Sequence, residues 1–275
     1  MRNLVKIGRL FYAIFLIGIA GQSFYYAEFR PSMMPPWPSP IPGQVVLVYL
    51  CSLFMVAAAV ALVLERQART MMLLLGGLFL ALVLFCHVPY KLFVSPGDIG
   101  SWTKALKELA YSGSAFVMAG SFPGGEATGK KEPALIRLLE KFIPFGGVFF
   151  SITLIAFGID HFLYAPYVAP LVPDWIPGHL FWTYFAGVAL IGGGAGIILE
   201  IRKKTIAMLV GIMIFTWFLV LHIPRAVVAP VSDKGNELTS VFESLGFSGV
   251  AFVIAANTSL FYKSFIQRFL GVLYH

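Results

Sequence analysis

The sequence predicts an all-α integral membrane protein with eight transmembrane helices, arranged as two parallel four-helix repeats with both termini in the cytoplasm. Three observations carry this prediction: the composition, the spacing of apolar segments and a set of recurring motifs. Of the 275 residues, 59% are hydrophobic and 12% are charged, and the mean hydropathy is +0.84. Soluble proteins carry about 25% charged residues. The composition therefore excludes a soluble enzyme, a disordered protein and a nucleic-acid-binding protein as descriptions of the whole chain.

The apolar segments have the length that a membrane span requires. A helix that crosses a bilayer needs about 20 mostly apolar residues. Eight such segments lie between polar breaks: 7–29, 44–64, 70–94, 103–121, 144–166, 179–200, 205–228 and 239–261. The first segment resembles the start of a signal peptide, but no small-residue cleavage site follows it. We therefore expect an uncleaved first span that continues through residue 29.

The basic residues fall in alternate loops. They occur at the N-terminus and in the segments 65–69, 122–143, 202–204 and the C-terminal tail. The only basic residues of the other loops (30–43, 95–102, 167–178 and 229–238) are Arg30 and Lys234. Because positively charged loops stay on the cytoplasmic side, we expect a multi-pass protein of a bacterial-type inner membrane with both termini cytoplasmic. The expected partner of the chain is the lipid bilayer, and no nucleic acid is expected to bind.

The two halves of the chain share motifs at a nearly constant offset. The segments 23–27, 41–43, 84–89 and 112–117 recur 135 to 138 residues later as 161–165, 176–178, 219–224 and 248–253. Four spans return the chain to its starting side, so we expect parallel repeats related by a pseudo-two-fold axis along the membrane normal. The expected domains are a first repeat in 1–121, a cytoplasmic linker in 122–143 with an amphipathic helix at 133–141, and a second repeat in 144–275.

These motifs resemble the DoxX-like membrane family. The shared features are a four-span unit whose first helix ends in aromatic residues, a proline-rich outer loop, and a third helix with a polar residue before proline. Over nearly the whole chain, the sequence is similar to a tandem duplication of that unit. The resemblance implies a redox accessory protein or subunit, linked to quinone-dependent or thiol systems, with other membrane or redox subunits as partners. It implies no catalytic residue at any position of this chain.

His87 and His222 are the ionisable pair that the repeat duplicates. Each lies in the outer half of the third span of its repeat, two residues before a proline, which removes a backbone N–H and bends the helix. The repeat axis would place both imidazoles at one depth, where they could share a quinone carbonyl or form a bis-imidazole metal or haem site. The alternative is that each imidazole ties its bent helix to a neighbouring carbonyl group.

Asp160 and His161 lie at the outer end of the fifth span, where the first half has Gln22 and Ser23. Adjacent residues of a helix do not face each other, so Asp160 is expected to meet another helix. The pair is either part of an asymmetric ligand site or an interhelical hydrogen bond.

Lys91 and Arg225 follow the two His-x-Pro motifs. They either extend to the outer headgroups or grip an anionic ligand. Cys51 and Cys86 are expected to be small buried hydrophobes, with a thiol pair as the alternative.

The sequence supports three functions. The leading one is a DoxX-like redox accessory or subunit that binds a quinone or a similar amphipathic ligand in a cavity open to the outer leaflet. The alternatives are a non-catalytic structural or assembly subunit of a larger membrane complex and a small-molecule carrier, for which parallel duplication is common.

Overall fold

The computed structural model describes residues 1–35, 42–94, 96–97, 100–124 and 132–257. Parts of several predicted features lie outside these residues: residues 36–41 of the proline-rich loop after the first span, the basic residues of the linker at 130–131, and the C-terminal tail. The described residues form helices and no strands.

The helices, numbered in chain order, are α1 Arg2–Tyr26, α2 Gln44–Leu64, α3 Ala68–Leu82, α4 Val88–Val94, α5 Thr103–Gly120, α6 Ala134–Glu140, α7 Gly146–Leu163, α8 Ala165–Val168, α9 His179–Ile198, α10 Lys203–Trp217, α11 Ile223–Val228 and α12 Asn236–Ala256. Two π-helical segments, Val83–His87 and Phe218–His222, join α3 to α4 and α10 to α11.

Seven helical segments of the described chain are long and apolar enough to cross a membrane: Arg2–Tyr26, Gln44–Leu64, Ala68–Val94, Ala134–Leu163, His179–Ile198, Lys203–Val228 and Ser232–Ala256. Their length and composition are those of a multi-pass membrane protein.

The predicted span 103–121 forms α5, which is not among these seven segments. Its first two turns carry Lys104, Lys107 and Glu108, and three charges within 18 residues lower its hydropathy. The rest of the helix is enclosed by the protein, since every residue from Ala110 to Gly120 is buried. The helix is therefore polar at one end and surrounded by its neighbours along most of its length.

The first helix ends earlier than the sequence predicts. It stops at Tyr26 because Ala27 takes a left-handed conformation with φ of 52°, so the expected continuation to residue 29 is wrong. The chain then folds inward rather than outward, because Arg30 and Met33 are only 2% and 1% exposed. This loop fills space inside the protein, where Arg30 donates a hydrogen bond to Thr239 of α12 at 3.2 Å.

Both predicted helix bends take the form of π-helical turns just before the prolines. Val88 donates its N–H to the carbonyl of Val83, five residues earlier, and the second turn makes the corresponding bond. Pro89 and Pro224 lack an N–H, and each ring would clash with the carbonyl four residues before it. The wider π turn accommodates that carbonyl.

The two halves of the chain interlock. The first helix of each half packs against the last helix of the other half, α1 against α12 and α7 against α5. A Cβ on Gly8 would lie 2.4 Å from the carbonyl oxygen of Gly249, and a Cβ on Gly113 would lie 2.6 Å from that of Gly146. The helices thus meet backbone to backbone at both crossings, which only residues as small as glycine allow.

Three of the segments rich in basic residues lie together at one end of the bundle. Arg9 near the start of α1 pairs with Glu65 at 2.9 Å, and Arg69 pairs with Glu140 of the linker helix α6 at 2.8 Å. The segments after α1 and before α12 also meet, where Lys234 contacts Glu28 at 2.6 Å.

Candidate functional site

A cavity of about 420 Å³ lies in the second half, at the end of the bundle away from the basic loops. Helices α5, α7, α9, α10 and α12 and the second π segment form its walls. Most of the surface is apolar, including Leu154, Phe157, Trp182, Leu190, Met213 and Trp217. The polar lining residues are Thr103, Lys107, Asp160, His161, Thr183, His222, Ser240, Glu243 and Ser244. An apolar chamber with a few convergent polar groups is typical of small-molecule sites.

Lys107 and Glu243 form the charged centre of this cavity. The Nζ atom of Lys107 lies 2.7 Å from Oε2 of Glu243, whose side chain is 5% exposed. The hydroxyl group of Tyr111 donates to the other carboxylate oxygen, and it also shares a hydrogen bond of 2.9 Å with Ser32. Each charge is compensated, as burial in a poorly hydrated interior requires.

Asp160 and His161 both line the cavity but make separate contacts. Oδ2 of Asp160 accepts a hydrogen bond from Thr103 at 3.0 Å, which links α7 to α5. Nδ1 of His161 lies 2.7 Å from the carbonyl oxygen of Phe157. Because a carbonyl group only accepts, Nδ1 carries a proton, and Nε2 of the neutral ring is left as an acceptor.

The cavity contains His222 but not His87. His87 is completely buried, lies beside the backbone of Met33, and makes no hydrogen bond of ordinary geometry within the described chain. The expected shared site for the two histidines is therefore not found in this cavity, because the inward-folded loop covers that region of the first half. The structure instead brings His222 together with His161.

Lys91 and Arg225 lie outside the main cavity. Arg225 makes two contacts with the carboxylate of Glu237, at 2.9 and 2.5 Å, beside a smaller cavity of about 340 Å³. The guanidinium of Arg225 therefore already binds a carboxylate of the same chain through two hydrogen bonds. The Nζ atom of Lys91 lies 5.6 Å from the ring centroid of Tyr90.

The cysteines and histidines do not form a metal centre in the described structure. Cys51 and Cys86 are both free and half-buried. Among the described residues, no three His, Cys, Asp or Glu side chains are placed to hold a metal ion.

Lys107, Tyr111 and Glu243 were not among the candidates from the sequence. A signal was present, because an offset of 136 pairs Lys107 with Glu243 and Tyr111 with Phe247. Opposite charges at corresponding positions are unusual within spans, where ionisable residues are rare and generally pair with each other.

Comparison with known proteins identifies one similar segment. A family model described as a domain of unknown function (DUF8561) matches residues 150–242. Neither the curated proteins nor the solved structures give a match. The matched segment is about a third of the chain, and it runs from α7 to the start of α12. It includes five of the polar cavity residues described above: Asp160, His161, Thr183, His222 and Ser240.

Proposed function

We propose that the protein binds an amphipathic small molecule, a quinone or a compound of similar build, in the cavity of the second half. The observation that carries this proposal is the convergence of imidazole, ammonium and carboxylate groups in a chamber whose remaining surface is apolar. In this proposal the protein is an accessory or a subunit of a membrane redox system, and other membrane or redox proteins are its partners. The resemblance to the DoxX-like family supports the redox part.

The charges of the site favour an uncharged head group. Lys107 and Glu243 neutralise each other at 2.7 Å, so a phosphate or an ammonium head group would have to compete with an existing ion pair. A quinone carbonyl needs only a hydrogen-bond donor, and the Lys107 ammonium or an N–H of His222 can provide one. The cavity volume also falls within the range of about 300–1,000 Å³ that is usual for such ligands.

The walls suit a flat ring with an apolar tail. Trp182 and Trp217 lie edge to face with ring centroids 6.1 Å apart, and they present aromatic surface at the cavity wall. Leu190 and Met213 extend the apolar surface. Aromatic groups favour such offset or perpendicular packing, which supports a ring-shaped head group.

We further propose that α5 is the eighth span and that the chain consists of two parallel four-helix repeats. Ser112 of α5 donates to the carbonyl of Gly76 at 2.8 Å, and Ser248 of α12 donates to that of Gly211 at 3.0 Å. These bonds join the third and fourth helices of each half at the same offset as the sequence motifs. With the basic loops in the cytoplasm of a bacterial-type inner membrane, both termini are cytoplasmic and the cavity lies toward the outer leaflet.

The test is to fill the cavity and measure which lipids co-purify. Ala186 lines the cavity from α9, whereas Val188 on the same helix is 62% exposed. Mass spectrometry of organic extracts should find a quinone or similar amphipath with the wild type and with Val188→Trp, and much less with Ala186→Trp. Equal ligand content in both variants would refute the site. The absence of any such ligand from the wild type would instead favour a structural or assembly subunit.

A further inference from the structure

Glu108 is a buried carboxyl group without a partner in the described structure. It is 0% exposed, and neither of its oxygen atoms makes a hydrogen bond. Lys107, its neighbour in sequence, is turned to Glu243 instead. An ionisable side chain in a span is normally paired or faces water. Glu108 does neither, so its role is not explained by packing.

The corresponding position of the second half shows that the fold does not require a carboxyl group here. The serine-to-glycine bonds of Ser112 and Ser248 align α5 with α12 at an offset of 136. Glu108 then corresponds to Ser244, which lines the cavity and bonds to the carbonyl of Val241 at 3.0 Å within its own helix. A short hydroxyl group therefore satisfies this position without a charge.

Glu108 lies in the region of the first half that corresponds to the cavity. Ser23, His87 and Glu108 all have buried polar atoms without a hydrogen bond among the described residues. Their counterparts in the second half all line the cavity: His161, His222 and Ser244. In the first half the inward-folded loop, with Met33 only 1% exposed, occupies this region.

The surroundings of Glu108 oppose a negative charge. Glu243 of α12 acts on Glu108 electrostatically, and Glu108 in turn acts on four groups of α1, α2, the first π segment and α5: Tyr12, Cys51, Cys86 and Tyr111. None of them is a cation, and the carboxylate of Glu243 repels a second negative charge. A buried carboxylate without hydrogen bonds or a counter-ion is so costly that such a group takes up a proton instead.

We propose that Glu108 is a proton-binding site: its carboxyl group holds a proton at neutral pH in the region of the first half that corresponds to the cavity. The side chain is then a proton donor stored within the membrane-spanning core, and intramembrane acids of this kind mark proton relays. This inference does not rest on ligand binding in the second half, because it follows from the contacts of Glu108 alone.

Infrared difference spectroscopy tests the proposal. A protonated carboxyl group absorbs through its C=O stretch, well separated from the two carboxylate bands. At neutral pH, the spectrum of the wild type minus that of Glu108→Gln should contain the protonated band. Glu28→Gln is the control, since Glu28 is half-exposed and pairs with Lys234 at 2.6 Å, and its difference spectrum should contain carboxylate bands.

Glu108→Ser provides a second variant with the residue that occupies the corresponding position. It should show the same loss of the protonated band, and Glu108→Gln, which keeps the size of the side chain, should unfold at a temperature no lower than the wild type. Carboxylate bands in either Glu108 difference spectrum would overturn the proposal. So would a large loss of stability in Glu108→Gln, which would reveal bonds that Glu108 makes as an anion. This measurement does not depend on bound ligand, so its outcome is independent of the outcome for the proposed function.

Discussion

Lys107 of α5 and Glu243 of α12 occupy corresponding positions of the two halves and form an ion pair with each other at 2.7 Å. In the proposed two-fold arrangement of the halves, residues that the axis exchanges can touch only beside that axis. Tyr111 and Phe247, the next corresponding pair, also meet, with ring centroids 6.0 Å apart. Two lysines or two glutamates at this place would repel each other, so the pair is stable only because the halves differ here.

The ion pair gives the first prediction. Glu243→Gln leaves the Lys107 ammonium in the interior without a counter-ion, and breaking a buried pair in this way costs about 3–5 kcal/mol. Unfolding measurements in mild detergent should show this loss, whereas Glu28→Gln, which breaks a half-exposed pair, should cost less than about 1 kcal/mol. The double variant Lys107→Met with Glu243→Gln should recover much of the loss. Equal effects of the two single variants would contradict the central role of the pair.

The backbone contact between α5 and α7 gives the second prediction. A Cβ on Gly113 would lie 2.6 Å from the carbonyl oxygen of Gly146, whereas a Cβ on Gly147 would meet nothing within 4 Å. Gly113→Ala should therefore force the helices apart and destabilise the protein by about 1–3 kcal/mol. Gly147→Ala, one residue further along α7, should be neutral or slightly stabilising because its Cβ meets no neighbour and alanine favours helix. A thermal unfolding series compares the two, and similar midpoints would show that the crossing is looser than described.

The histidines give the third prediction. His161 and His222 line the cavity and His87 does not. Replacing each with glutamine keeps hydrogen-bonding capacity but removes the imidazole. Co-purified ligand should fall in His161→Gln and His222→Gln, and it should stay at the wild-type level in His87→Gln. A fall in His87→Gln alone would move the site to the first half.

Orientation in the membrane gives the fourth prediction. In a background where Cys51 and Cys86 are replaced by alanine, an impermeant maleimide should label Asp174→Cys in cells whose inner membrane is intact. Gln67→Cys should be labelled only after the membrane is permeabilised. Both side chains are exposed, so access to the reagent depends on the side of the membrane and not on burial. The reverse pattern would invert the proposed topology and place the cavity in the inner leaflet.

Most helices could be predicted from the sequence because lipid leaves the backbone few choices. Every N–H and C=O group within the bilayer must find a partner in the chain, so a long apolar segment becomes a helix. The bends at Pro89 and Pro224 follow for the same local reason, the missing N–H. A helix is also present at Ala134–Glu140, where the sequence indicates one. The early end of α1 was not predicted, because it depends on the conformation of Ala27 and on the packing of the loop that follows.

The composition of the site depended on which helices meet. His87 and His222 have nearly identical sequence surroundings, yet one is covered by a loop and the other faces a cavity. The class of protein, most of its helices and the motif around each histidine could be read from the chain, because they follow from local hydropathy and backbone chemistry. That α5 reaches across to the second half and brings Lys107 to Glu243 could not, because contacts between distant helices depend on side-chain packing along the whole bundle.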